Sequence, residues 1–182
     1  MCPFHDAGRR GVLARESPLH RAADGVASAG HTGWKSCRPN DPIAQGNPWQ
    51  VSGYQFDLDS NNNYTGQLYE GQGRGIITPP GTIVQLQPGR VSARVGTVSD
   101  NPSALIKPHQ GLAGEWNQVE IIARGNTLIH MINGNVISVS VDDNPEFRAF
   151  QGILSLQLEG NGQIWYRNVH VKALDKPVEF PK

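Results

Sequence analysis

Cysteine is scarce in this sequence: Cys2 and Cys37 are the only two, and they form no C-x-x-C pair. That excludes a disulfide framework and a cysteine-rich zinc site, so both read as incidental thiols. Charge of one sign is also lacking, since sixteen Lys and Arg balance sixteen Asp and Glu to a formal net charge of zero. Nothing electrostatic recommends a nucleic-acid backbone or an anionic membrane surface as partner. No run approaches about 18 apolar residues, so no segment reads as a membrane-spanning helix. The first residues, Met1-Cys2-Pro3-Phe4-His5-Asp6, show neither the basic stretch nor the apolar run of a secretory signal. Methionine is down to two residues, while glycine reaches 21 and proline 13. That balance suits turn-rich β structure better than helices.

The 182 residues amount to one domain. Residues 1–44 show no alternating apolar pattern; Arg9, Arg10, Arg15, Arg21, Lys35 and Arg38 lie scattered among small and polar residues. They read as a poorly structured or foreign segment contributing at most one strand. From residue 45 to 174 the pattern turns regular, with β-rich runs punctuated by Gly, Asn, Asp and Pro about every 8 to 12 residues; residues 175–182 read as a tail. Strands are expected at 49–58, 66–70, 82–86, 90–95, 117–124, 127–132, 136–141, 153–159 and 163–172. Gly125-Asn126 suits a type II′ hairpin turn and Asn133-Gly134 a type I′ turn, which makes a three-stranded meander. Within it Val119, Ile121 and Ala123 alternate with polar residues, the mark of a sheet with one apolar face. Ile164 and Tyr166 hold one parity and Val169 and Val171 the other, so a bulge is expected near Arg167-Asn168. The one helical candidate is 102–107, opened by Pro102 and stopped by Pro108. The fold class is all-β, an antiparallel two-sheet sandwich.

Few local patterns carry chemistry. Asp57-Leu58-Asp59-Ser60-Asn61 opens like a calcium loop, but Asn62 stands where a sharp turn wants Gly and Leu68 where a bidentate Glu is needed. Calcium at Asp57 and Asp59 is thus a minor option beside a polar turn. In an extended chain these two carboxylates would share a face at about 6 to 7 Å, a spacing that overlaps an inverting glycosidase pair. Gly71-Gln72-Gly73-Arg74-Gly75 lacks the dinucleotide spacing and precedes no helix, and no G-x-S-x-G is present. The six histidines, His31, His130 and His170 among them, include no metal-binding pair; His130 and His170 read as surface or packing residues. Trp49, Tyr54, Tyr64 and Tyr69 cluster with the amides Gln50, Gln55, Asn61, Asn62, Asn63 and Gln67. Flat rings beside amides are what a pyranose needs, and equally what a core with polar turns contains.

Six strings in order, Gly53-Tyr54-Gln55-Phe56-Asp57, Gly66-Gln67-Leu68-Tyr69-Glu70, Gly114-Glu115-Trp116-Asn117, Asn133-Gly134, Gly152-Ile153-Leu154-Ser155-Leu156-Gln157 and Tyr166-Arg167-Asn168-Val169, resemble the bacterial 3-keto-disaccharide hydrolase domain family over about residues 46–174. The resemblance implies a concanavalin-A-like jelly roll acting on glycosides whose C3 hydroxyl has been oxidised to a ketone, in the periplasm or outside the cell. The ketone acidifies the C2 proton, so a base can drive elimination of the C1 aglycone before water adds. The site is expected to draw on Glu70, Glu159, Asp57 and Arg74 for catalysis, and on Tyr54, Gln55, Tyr69 and Gln157 for the sugar. Two features depart from the family pattern. Leu158-Glu159 puts a carboxylate where relatives carry a histidine, and residues 1–44 show none of the usual upstream strands. The first strands are therefore expected to be missing, leaving sheet edges and apolar surface exposed and activity impaired. A non-catalytic carbohydrate-binding module is the alternative reading.

Overall fold

The computed structural model describes residues 10–17, 30–35, 52–89, 93–109, 114–150, 152–158 and 164–177. These residues form twelve strands and one short 3-10 helix, Pro102–Leu105. The strands are β1 (Arg10–Ser17), β2 (Gly30–Lys35), β3 (Gly53–Leu58), β4 (Leu68–Gly71), β5 (Gly75–Thr78), β6 (Thr82–Leu86), β7 (Ala93–Thr97), β8 (Val119–Arg124), β9 (Thr127–Ile132), β10 (Asn135–Asp142), β11 (Ile153–Leu158) and β12 (Arg167–Pro177). One sheet has seven strands in the order β12-β1-β8-β9-β10-β6-β7, and the other has five in the order β11-β2-β3-β4-β5. The all-β sandwich read from the sequence is the fold. All neighbours are antiparallel except β6 and β10, which run parallel with Val139 opposite Ile83.

The meander forms as its turns dictate. Gly125 alone has a positive φ (64°) in the first turn, while Asn133 (50°) and Gly134 (79°) both do in the second. In β8, Val119 and Ile121 are buried as the alternation requires. The bulge at Arg167-Asn168 is present too: three steps of β12 oppose two of β1, and Asn168 adopts φ 53°. Ile164 and Tyr166 consequently pack on the core, and Val171 lies in the same row as buried Ile121.

Packing between the sheets divides into two clusters. Tyr54, Leu68 and Ile77 of the five-stranded sheet meet Val84, Leu86 and Leu128 of the other. Phe56 and Leu58 meet Val119, Ile121, Ile132 and Ile137. A wholly buried side chain such as Phe56 contributes about 1.5–3 kcal/mol. Toward the β11 and β12 edges the interior opens: Leu154, Leu156 and Val171, inward by register, are 43%, 50% and 56% exposed.

The expectation for the ends of the chain needs correction. Residues 1–44 hold two strands where at most one was expected, and each is internal to a sheet: β1 lies between β12 and β8, and β2 between β11 and β3. Neither has period-2 patterning. The physical reason is that the edges of β8 and β3 present rows of unpaired N–H and C=O groups, and ladder formation overrides weak local preference. β12 also runs through Lys176 and Pro177, into the residues read as a tail. The strand β5 was missed because its four residues, Gly75-Ile76-Ile77-Thr78, are too few to show a period.

Candidate functional site

Alternation along β3 and β4 divides the expected site residues between two faces. Tyr54 stands opposite Glu70, and Phe56 opposite Leu68, so these four face the sandwich interior. Gln55 stands opposite Tyr69 on the outer face, and Asp57 shares its parity. Every residue of β3 is buried, on both faces. Tyr54 and Tyr69 therefore cannot form one sugar platform, because they lie on opposite sides of a single sheet.

The inner residues form a charged clamp between the sheets. Glu70 is ion-paired with Arg74, its Oε2 2.6 Å from Arg74 Nε, and also accepts the Arg74 backbone N–H at 3.0 Å. Arg74 Nη2 reaches across to Asp142 Oδ2 at 2.6 Å. The Tyr54 hydroxyl donates to the same carboxylate, and the Ala149 N–H donates to the Tyr54 oxygen at 3.4 Å. Phe147 lies against the guanidinium, 5.2 Å from ring centroid to Cζ. Burial, followed by the charge of Asp142, raises the Tyr54 phenol well above its ordinary range. Burial would lower Arg74, but its hydrogen bonds and ion pairs with Asp142 and Glu70 outweigh that and hold it fully charged. Glu70 and Arg74, both expected to serve catalysis, are thus each other's partners in the interior. Asp142, on the far sheet, had no sequence signal.

Two more polar ties join the sheets beside the clamp, and all three end on alternate residues of β10. The Gly66 carbonyl accepts from Ser138 Oγ at 2.7 Å and from His130 Nδ1 at 3.1 Å. Thr78 and Ser140 share a hydroxyl hydrogen bond of 2.6 Å. His130 is fully buried, 4.6 Å from the Phe56 ring centroid, and burial pushes its imidazole down to about 4 despite hydrogen bonds to the backbone of Gly66 and Gln67. It is the packing histidine the sequence suggested.

On the outer face the polar groups converge differently. Asp57 Oδ1 accepts the Gln55 side-chain amide at 2.8 Å, and Oδ2 accepts the amide of Gln67. Asp57 is 4% exposed. Across the sheet the register places Gln157 opposite His31, and His31 opposite Asp57, so these three positions form one row over β11, β2 and β3. The Oε1 of Gln157 is buried and has no hydrogen-bond partner among the described residues. Tyr69 lies half-buried one row away, opposite exposed Ile76 on β5. Of the expected residues this face unites Asp57, Gln55, Tyr69 and Gln157; Gln67 and His31 are added by the structure. Glu159 lies outside the described residues.

The carboxylates of Asp57 and Asp59 have separate hydrogen-bond partners. The Asp59 carboxylate accepts backbone N–H groups of its own loop, from Asn63 at 2.8 Å and Asn61 at 3.3 Å, and Thr65 closes the loop onto the Asp59 backbone. This is the polar turn that Asp and Asn favour. Among the described residues no three His, Cys, Asp or Glu side chains gather as metal ligands. Trp116 is half-buried with the Arg167 guanidinium 3.9 Å from its ring centroid, which ties it to the β12 bulge.

The pattern of one family, described as the 3-keto-alpha-glucoside-1,2-lyase-like domain, matches residues 25–172. The match begins inside the segment read as foreign and takes in β2. Among solved structures, a "Putative glycosyl hydrolase" from Parabacteroides distasonis ATCC 8503 aligns with 89% of this chain and 78% of its own, at 15% identity and a TM-score of 0.47. No curated protein matches the chain. Among the described residues no helix is long and apolar enough to cross a membrane.

Proposed function

The chain belongs to the family of 3-keto-alpha-glucoside-1,2-lyase-like domains, and we propose that it cleaves 3-keto-glycosides on the outer face of its five-stranded sheet. The observation that carries this reading is the row Gln157, His31 and Asp57, with one carboxylate held by two glutamine amides and one buried amide oxygen left to take a hydrogen bond. Buried polar atoms are normally paired. A sugar hydroxyl is a donor of the right kind for Gln157 Oε1.

The chemistry suits such a face. A ketone at C3 makes the C2 proton removable; the C2–H electron pair forms the C1=C2 bond while the C1–O pair leaves with the aglycone oxygen, which takes up a proton. Water then adds across C1=C2, hydroxyl to C1 and hydrogen to C2. Asp57 supplies the negative charge of the site, Gln55 and Gln67 orient it, Gln157 reads a hydroxyl, and Tyr69 offers an apolar face to the ring. Glu70 and Arg74 hold the sheet in shape from behind.

The test is aglycone release from 3-keto-trehalose compared with trehalose. Turnover of the oxidised sugar alone is the expected result. Binding of either sugar without turnover would replace this reading with a carbohydrate-binding module.

A further inference from the structure

We infer that the β5 edge of the outer face carries an apolar subsite for the aglycone, formed by the Tyr69 ring and Ile76, and that Ile76 makes alkyl or aryl aglycones better leaving groups here than a second sugar. The inference rests on the proposed 3-keto-glycoside chemistry and deepens it by naming the class of aglycone. Two strand registers bring the subsite about: Gln55 stands opposite Tyr69 across β3 and β4, and Tyr69 stands opposite Ile76 across β4 and β5. Neighbouring strands lie about 4.8 Å apart, so Ile76 stands about 10 Å from Gln55 on the same face. A bulge aims the isoleucine: one step of β4, from Leu68 to Tyr69, opposes two steps of β5, from Thr78 to Ile76. Ile77 and Thr78 consequently both turn to the core, Ile77 packing in the cluster with Leu68 and Thr78 bonding to Ser140, while Ile76 is left 50% exposed.

The Tyr69 ring leans the same way. Gly75 has φ +76°, and a Cβ built there would lie 4.0 Å from Tyr69 Cε2, so the ring reaches over the glycine beside Ile76. A scattered exposed isoleucine would mean little; this one continues an aromatic ring that adjoins the polar groups. It also stands on the edge strand of its sheet, in a run, Gly75-Ile76-Ile77-Thr78, that carries no charge. Sheet edges are ordinarily guarded by charge or proline, so an outward isoleucine there marks a surface kept for apolar contact. Exposure rises along the row: Gln55, Gln67 and Asp57 are buried, Tyr69 is half-buried and Ile76 is half open to water. Among the described residues of β3, β4 and β5 the outer face therefore opens toward β5. A glycoside with its oxidised ring at the amides and carboxylate directs its aglycone to that edge, and the aglycone departs there without crossing the sheet. The strip offers one hydroxyl and no charge. A second pyranose would gain little from it, whereas an alkyl or aryl group is held by the apolar area it covers.

The experiment uses the full chain and two readouts. The first is kcat/KM for cyclohexylmethyl and methyl 3-keto-α-glucosides, whose leaving alcohols are of similar acidity, and for 3-keto-trehalose. Wild type is expected to favour the cyclohexylmethyl compound by about 10-fold or more over each of the others, the discrimination that an apolar contact supports. Ile76→Ser should bring the ratio of cyclohexylmethyl to methyl substrate close to one, and Ile76→Leu should keep it. The second readout is NMR titration of wild type with the unoxidised cyclohexylmethyl and methyl α-glucosides, where tighter binding of the first and shifts at the Ile76 methyl groups are expected. Equal kcat/KM for the three substrates overturns the inference and leaves the proposed function standing, and so does a preference that Ile76→Ser leaves unchanged. If Ile76→Ser does not fold, the wild-type ratio and the Ile76 shifts decide. Turnover of none of the three sinks the proposed function, and the titration then decides the subsite: equal binding of the two glucosides overturns it, while a cyclohexylmethyl preference with shifts at Ile76 upholds it as part of a sugar-binding surface.

Discussion

Arg74, in the turn between β4 and β5, and Asp142, at the end of β10 on the other sheet, lie 68 residues apart in sequence, with Arg74 Nη2 2.6 Å from Asp142 Oδ2. The Asp142 side chain is fully buried and that of Arg74 nearly so. Removing one partner of such a pair leaves an uncompensated interior charge. Asp142→Ala is expected to cost about 3–5 kcal/mol in urea unfolding, with Arg74→Met less costly when Glu70→Gln and Asp142→Asn accompany it. An Asp142→Ala protein as stable as wild type would show that the clamp carries no weight.

Gly66 allows the β3–β4 loop to close. Its φ is +89°, and a Cβ there would lie 2.6 Å from the Ile137 side chain. Strain and overlap act together, so Gly66→Ala should lower stability by about 2–4 kcal/mol, measured as a fall in Tm. Because the Gly66 carbonyl is the acceptor for His130 and Ser138, the same variant should speed amide exchange at the ends of β9 and β10.

His130 makes stability depend on pH in a defined window. Its folded value of about 4 lies below the ordinary 6.5, so the unfolded chain binds the proton more readily. The contribution is complete above about pH 6.5 and is lost as pH falls toward 4, amounting to about 3 kcal/mol. Urea unfolding of wild type and His130→Leu at pH 7 and pH 4.5 should show a smaller pH-induced loss in the variant. An equal loss in both would remove His130 as the cause.

The two tyrosines should separate binding from stability. Tyr54→Phe removes the hydroxyl that donates to Asp142 and is expected to cost about 1–3 kcal/mol while leaving the KM for 3-keto-trehalose unchanged. Tyr69→Ala should raise KM several-fold with little change in Tm. The opposite pattern would move the sugar to the other face of the sheet.

Trp116 is half-buried and carries the Arg167 guanidinium over its ring. Trp116→Ala is expected to cost about 2–3 kcal/mol, at the lower end for a large aromatic truncation, since part of its surface is already wet. A double-mutant cycle with Arg167→Ala should return a coupling of about 0.5–1 kcal/mol.

Much of the fold was legible in local sequence. Alternation in 117–132, the φ demands of Gly125 and of Asn133-Gly134, and the parity break at Arg167-Asn168 are short-range facts that backbone geometry turns directly into hairpins and a bulge. β10 shows where that legibility stops. Its Val139 and Val141 look like core, yet Ser138, Ser140 and Asp142 face the interior, because the ladder with β9 shifts register at Ile137 and each of the three has a polar partner on the five-stranded sheet or in its connecting loops. No local pattern encodes a partner 62 or 88 residues away.

The site divides in the same way. The sequence by itself determined the kind of chemistry present: a stretch around Gly53 to Gly75 rich in carboxylates, amides and aromatic rings, on alternating strands of a sandwich. Only the tertiary structure decided which of them act together. Strand alternation sends Tyr54 and Glu70 inward and Gln55, Asp57 and Tyr69 outward, and pairing with β2 and β11 sets His31 and Gln157 in line with Asp57. Side-chain period is local, but which strands become neighbours is settled by where the whole chain can bury its apolar faces and complete its ladders.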